Sequence, residues 1–132
     1  MDESSPRTIL VVDDEEDIRM VLRARLEAAG YRVRTASCGL DGLDSMRAEP
    51  PDLVVLDLML PGIDGLGVCA LVKSDLRLRR IPILLLTARS QPRRGLTGSE
   101  PGADAYMGKP FQADELLAEV HRLLDDGKNT YE

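Results

Sequence analysis

Two short stretches of this chain are rich in β-branched and other apolar residues and run straight into acids. Thr8-Ile9-Leu10-Val11-Val12 leads to Asp13-Asp14, and Leu53-Val54-Val55-Leu56 leads to Asp57. Neither run alternates apolar with polar positions, so each reads as a strand covered on both faces, as in the middle of a parallel sheet. Such a sheet needs helices packed above and below it.

The remaining sequence supplies them. From Glu16 to Ala29, Ile18, Val21, Leu22, Arg25 and Leu26 recur at helical spacing, and Gly30 stands just past the end as a stop signal. Tyr31 to Ala36 reads as a strand, Gly39 to Arg47 as a helix, and Pro50-Pro51 breaks the chain before the strand that ends at Asp57. Gly65 to Lys73 follows as a helix, with Asp64-Gly65 as a turn and helix start. Ile81 to Thr87 is a strand whose Pro82 lies near its beginning, where a missing donor is tolerated. Ala105 to Met107 is a brief last strand before Lys109-Pro110, and Ala113 to Leu124 a final helix. The expected fold is α/β: a doubly wound five-stranded parallel sheet, helices on both faces, right-handed connections.

A chain of 132 residues suits one domain. Its expected limits are a flexible N-terminal tail over residues 1–7, a domain over 8–125 and a polar C-terminal tail over 126–132. With no Trp, one Phe and three Tyr, the core should be aliphatic. A net charge of -6 argues against binding nucleic acid through this domain alone, because that needs Lys and Arg to displace phosphate counterions. Cys38 and Cys69 lie far apart outside any CxxC or Cys/His cluster and read as reduced structural thiols. No apolar run approaches the roughly 20 residues of a membrane span, and the acidic start Met1-Asp2-Glu3 does not suit a signal peptide. These features predict a cytoplasmic protein without a membrane partner.

Asp13 and Asp14 follow the first strand, Asp57 ends the third, Thr87 ends the fourth and Lys109 follows the fifth. In an open α/β sheet, the ligand crevice lies outside the carboxyl ends of the strands, where these groups would gather. Three carboxylates brought together repel and call for a cation, and a hard, oxygen-lined cluster suits Mg2+. Lys109 can hold a phosphate oxygen and the Thr87 hydroxyl can donate to another, which leaves Asp57 as the nucleophile. Singly, each has an ordinary explanation: Asp14 as a helix cap, Asp57 as a strand end, Lys109 as a solvated charge. Together, at successive strand ends, they favour phosphoryl chemistry.

At these residues the chain resembles the response-regulator receiver family of two-component signal transduction, from about Thr8 to Leu124. The matches are Val11-Val12-Asp13-Asp14-Glu15, Asp57-Leu58-Met59-Leu60-Pro61-Gly62-Ile63-Asp64-Gly65, Leu86-Thr87-Ala88, and Gly102-Ala103-Asp104-Ala105-Tyr106-Met107-Gly108-Lys109-Pro110-Phe111. The resemblance implies a flavodoxin-like strand order 2-1-3-4-5 and transfer of a phosphoryl group to Asp57 from a sensor histidine kinase or a histidine phosphotransfer protein. It implies Mg2+ held by Asp13, Asp14, Asp57 and the Met59 carbonyl, phosphoryl contact by Lys109, and a switch made by Thr87 and Tyr106. It further implies a cis Lys109-Pro110 bond, an output protein or domain engaged through the fourth helix, fifth strand and fifth helix, and phosphoryl lifetime tuned at Met59 and Arg89. Arg89 reads equally as a shield for the phosphoryl group and as a solvated loop charge. The resemblance allows a phosphorylation-dependent homodimer.

The rival readings are a Mg2+-dependent aspartyl-phosphate phosphatase, a flavin carrier and a receiver-like interaction module. The phosphatase would place a second acid two residues after the nucleophile, where this chain has Met59. A flavin carrier would cradle phosphate after the first strand, where Asp13-Asp14-Glu15-Glu16-Asp17 repels it. A module that takes no phosphate would lack Asp57, Thr87 or Lys109, and all are present. His121, the only histidine, reads as a partly buried helix residue. The segment from Arg89 to Gly102 should form a short or disordered fourth helix, because Gly95, Gly98 and Pro101 disfavour one and Leu96 is the only large apolar residue between Pro92 and Pro101.

Overall fold

The computed structural model describes residues 6–88 and 102–129. Along it run β1 (Thr8–Val12), α1 (Glu16–Ala28), β2 (Arg32–Ala36), α2 (Gly39–Ala48), β3 (Leu53–Asp57), α3 (Gly65–Ser74), β4 (Ile83–Ala88), β5 (Ala105–Lys109) and α4 (Ala113–Asn129). All neighbouring strands pair in parallel, and the five-stranded sheet has the order β2-β1-β3-β4-β5.

The central strands are apolar on both faces because each face meets its own pair of helices. Ile9, Val11, Leu53, Val55, Leu84 and Leu86 pack against Leu22 and Leu26 of α1 and Leu116, Val120 and Leu123 of α4. Leu10, Val12, Val54, Leu56, Ile83 and Leu85 pack on the other face against Leu43 and Met46 of α2 and Val68, Cys69 and Val72 of α3. Each fully buried aliphatic side chain contributes about 1.5–3 kcal/mol, so these two layers supply the main stabilisation of the sheet. The Cys69 thiol is deep enough that burial pushes its pKa up to about 12, which leaves it an inert core group. Cys38, like Cys69, is a free thiol. No helix of the described residues is long and apolar enough to cross a membrane.

Element ends differ from the sequence expectation for identifiable reasons. Ala29 caps α1 instead of lying in it, and Gly30 at φ +100° lets its own amide reach the Glu27 carbonyl and the Tyr31 amide reach that of Leu26. Strand β4 starts at Ile83, not Ile81, because Pro82 offers no amide hydrogen. Strand β5 extends past Met107, pairing Gly108 with Thr87 and Lys109 with Ala88, so Lys109 belongs to the strand it was expected to follow. Helix α4 continues past Leu124 to Asn129, into residues read from sequence as a polar tail. A lack of apolar periodicity does not by itself end helical hydrogen bonding. His121 is exposed rather than partly buried, and its Nδ1 lies 2.8 Å from the Tyr31 hydroxyl across the gap between α4 and the start of β2. The expected short or disordered helix between Arg89 and Gly102 falls on residues 89–101, outside the described residues.

Gly65 shows how tightly the second face is closed. It is the first residue of α3, and its amide donates to the Leu58 carbonyl at 2.8 Å. A Cβ there would lie 2.5 Å from the Asp57 carbonyl oxygen and 2.8 Å from the Leu58 Cα, both backbone atoms that cannot rotate away. Gly65→Ala is therefore expected to destabilise the protein by about 1–3 kcal/mol, read as a lower urea midpoint with an unchanged slope.

Candidate functional site

Parallel strands of similar length end on one edge of the sheet, and their register decides which side chains meet there. Val12 pairs with Leu56, so the next residues, Asp13 and Asp57, emerge side by side. Asp57 pairs in turn with Leu86, and Ala88 with Lys109. Asp13 is 1%, Asp57 4% and Thr87 7% exposed, and they are the buried polar residues among those described. Asp14 stands outside them, exposed, yet Asp13, Asp14 and Asp57 each offer a carboxylate oxygen within 4.8 Å of the others.

The Lys109 ammonium sits among these acids, 3.1 Å from Asp13 Oδ2, 3.2 Å from Asp57 Oδ1 and 3.8 Å from Glu15 Oε1. Asp13 is further fixed by the Glu15 amide, which donates to its Oδ1 at 2.9 Å, and by its own amide, which donates to the Ala36 carbonyl at 3.1 Å. Burial pushes the Asp57 carboxyl up from its ordinary range and the Asp13 charge pushes it further. The Lys109 charge and hydrogen bond and the Met59 backbone hydrogen bond offset this only in part. Burial alone would pull Lys109 down, but the Asp13 hydrogen bond and the charges of Asp13 and Asp57 outweigh it, and its pKa is raised. One ammonium shared among several acids gains more than each acid gains from its share.

Thr87 lies near the end of β4, beside Gly108 of β5. Tyr106 turns inward against the α2/α3 layer, and its hydroxyl accepts a hydrogen bond from the Ala103 amide at 3.2 Å. Met59 is 57% exposed just beyond Asp57, and the Lys109–Pro110 bond is cis. Arg89 lies outside the described residues. Asp14 is not a helix cap: Glu15 holds that position at α1, without a side-chain cap, whereas Asp64 caps α3 by accepting from the Gly67 amide at 2.9 Å. Sequence reasoning passed over two residues. Glu15 stood in the acidic run without a role of its own, and Arg19 gave no sign that its guanidinium donates to the Asp13 carbonyl at 2.7 Å.

The raised Asp57 pKa has a definite consequence for stability. When the folded value lies above the unfolded one, the native state holds more protons between them. Stability then falls as pH rises through that window, and the whole penalty remains above it. Asp57→Asn removes the buried charge and leaves Lys109 paired with Asp13. Without divalent cations, this variant should melt above the parent at pH 7.5, by a margin that shrinks towards pH 4. Melting curves in chelator at several pH values check this, and a variant less stable at pH 7.5 would contradict it.

The response regulator receiver domain family model matches residues 9–121. The chain is 44% identical over 118 residues to the transcriptional regulatory protein GltR of Pseudomonas aeruginosa, covering 89% of this chain and 49% of that one. It is 47% identical over 120 residues to the alkaline phosphatase synthesis transcriptional regulatory protein PhoP of Bacillus subtilis, covering 89% and 48%. It thus spans about half the length of these curated relatives. Among solved structures it is similar to the chemotaxis protein CheY4 of Vibrio cholerae, with a TM-score of 0.83 and 29% identity over 90% of this chain and 99% of that one. With its strand order, its acids and lysine at the strand ends and these relatives, the chain belongs to the response regulator receiver domain family.

Proposed function

We propose that Asp57 accepts a phosphoryl group from the phosphohistidine of a sensor histidine kinase or a histidine phosphotransfer protein. The observation that carries this reading is the buried Asp57 carboxylate at the sheet edge, 3.2 Å from the Lys109 ammonium. In the transfer, an Asp57 carboxylate oxygen attacks phosphorus, an O–P bond forms, the N–P bond to histidine breaks, and the imidazole leaves. Lys109 holds a phosphoryl oxygen as a fixed positive charge, and the Thr87 hydroxyl donates to another. The domain catalyses only its own phosphorylation and dephosphorylation, with Met59 and Arg89 setting the lifetime of the acyl phosphate.

The residues fit a divalent cation. The oxygens within 4.8 Å of one another belong to three carboxylates, and burial together with the Asp13 charge raises the Asp57 pKa despite the Lys109 ammonium beside it. Asp13, Asp14, Asp57 and the Met59 carbonyl would hold Mg2+. Bound there, it supplies positive charge that offsets the crowded carboxylates and phosphoryl oxygens.

Once phosphorylated, Asp57 engages Thr87, and Tyr106 leaves its place over Ala103, changing the face formed by β5 and α4 for an output protein or domain, or for a second copy of the chain. The setting is the cytoplasm.

A small phosphodonor with Mg2+ should raise the intact mass by one phosphoryl group. Asp57→Asn should abolish the gain, and Lys109→Ala should slow it or uncouple it from the switch. Equal labelling of Asp57→Asn would remove Asp57 as acceptor. Mg2+ affinity should fall with pH, because protons compete for the carboxylates, the raised Asp57 first. Asp14→Ala should weaken binding strongly. Calorimetric titrations that give the parent affinity for both Asp13→Ala and Asp14→Ala would exclude this metal site.

A further inference from the structure

We propose that Arg19 is a positioning residue for the metal-binding turn between β1 and α1, an inference that rests on the Mg2+ reading above. Its Nη1 donates to the Asp13 carbonyl at 2.7 Å, from the first turns of α1 back onto the end of β1. The choice of partner is informative. Glu15 and Glu16 stand one helical turn before Arg19, where a carboxylate would ordinarily pair with it. Among the described residues, however, Arg19 makes no ion pair, and its half-buried guanidinium goes to a neutral carbonyl.

The consequence falls on Asp14. The Asp13 carbonyl and the Asp14 amide share one planar peptide unit, so pinning the oxygen fixes the plane and the direction of the Asp14 N–Cα bond, which narrows the directions its side chain can take. Asp14 needs this. It is exposed, and among the described residues no hydrogen bond or ion pair holds its carboxylate. Asp13 is different: Lys109 and the Glu15 amide both grip its carboxylate. The turn is therefore braced twice. The Asp13 carboxylate caps the Glu15 amide on one side, and Arg19 holds the Asp13 carbonyl on the other, while the Arg19 amide itself donates to the Glu15 carbonyl at 3.1 Å. Without Arg19 the peptide between Asp13 and Asp14 can rotate, and one of the three carboxylates loses its aim.

The sign of the effect separates positioning from charge. A guanidinium beside a cation site repels the cation through space, so by charge alone its removal would tighten Mg2+ binding. Positioning makes the opposite demand, and losing a group that orients a metal ligand weakens binding by about tenfold or more. The experiment is calorimetric titration of the full chain with Mg2+ alone, for the parent, Arg19→Met, Arg19→Gln, Arg19→Lys and Asp14→Ala, each shown folded by its urea transition. Arg19→Met keeps the apolar stem and Arg19→Gln a shorter neutral donor. Both should bind Mg2+ about tenfold more weakly, either one suffices if the other does not fold, and Arg19→Lys should recover part of the loss. Amide exchange at Asp14 and Glu15 in the metal-free protein should quicken in the Met variant. Equal or tighter Mg2+ binding by a folded Met or Gln variant, in a parent that binds Mg2+ and loses it in Asp14→Ala, overturns the role of Arg19 alone. Equal binding by the parent and Asp14→Ala overturns the metal reading, and this inference with it.

Discussion

The arrangement on which the rest of the molecule depends is a single ammonium surrounded by carboxylates at the end of a parallel sheet. Lys109 contacts Asp13 and Asp57 closely and Glu15 at longer range, while Asp14 adds a further acid to the group. Two of these acids are almost fully buried, where charge is costly unless it is paired. Burial first, and then the neighbouring Asp13 charge, raise the Asp57 pKa, and Lys109 offsets this only in part. A fold that optimised its own stability would not gather these groups. This one can hold them because two aliphatic layers clamp the central strands from both faces, and the strain of like charges is small beside that burial. The charges at the sheet edge are thereby held in place by the fold and its hydrogen bonds before any ligand arrives.

The same architecture explains why so much of the fold was legible in the sequence. Strands covered on both faces read as uninterrupted apolar runs, and β1 and β3 fall at their expected bounds. Acids that end such runs stand out because nothing else in the run is polar. The less legible features depend on pairing. The membership of Lys109 in β5 follows from its partner Ala88, which no local pattern around Lys109 reveals. The exposure of His121 depends on which flank of α4 faces Tyr31, and the helical spacing of its apolar residues fixes that only roughly. Arg19 is the clearest case: an arginine four residues after a glutamate predicts a surface ion pair, and only the turn geometry shows that a backbone carbonyl lies within reach.

Strand β5 shows how the site is joined to the rest of the molecule. Its far end is anchored just before the first residue, where the Asp104 amide donates to the Ile83 carbonyl at 2.9 Å and the Ile83 amide returns to Asp104 Oδ2 at 2.8 Å. The Lys73 ammonium from α3 holds the same oxygen at 3.2 Å and also reaches the Arg79 and Ile81 carbonyls, both at 3.3 Å. Lys109 occupies the other end of the strand, gripped by the acids. A strand tied at both ends and hydrogen bonded along β4 resists sliding, so a change of charge around Lys109 cannot be taken up by moving the backbone as a rigid rod. The side chains on the strand are freer to move than this backbone. Among the side chains of β5, Tyr106 is held inward by a single hydrogen bond from the Ala103 amide at 3.2 Å and by contact with one apolar layer. Both are individually weak enough to exchange for solvent or another partner at a cost of about 1 kcal/mol for the hydrogen bond. The anchoring that makes β5 rigid thereby leaves its side chains as the softer part of the strand.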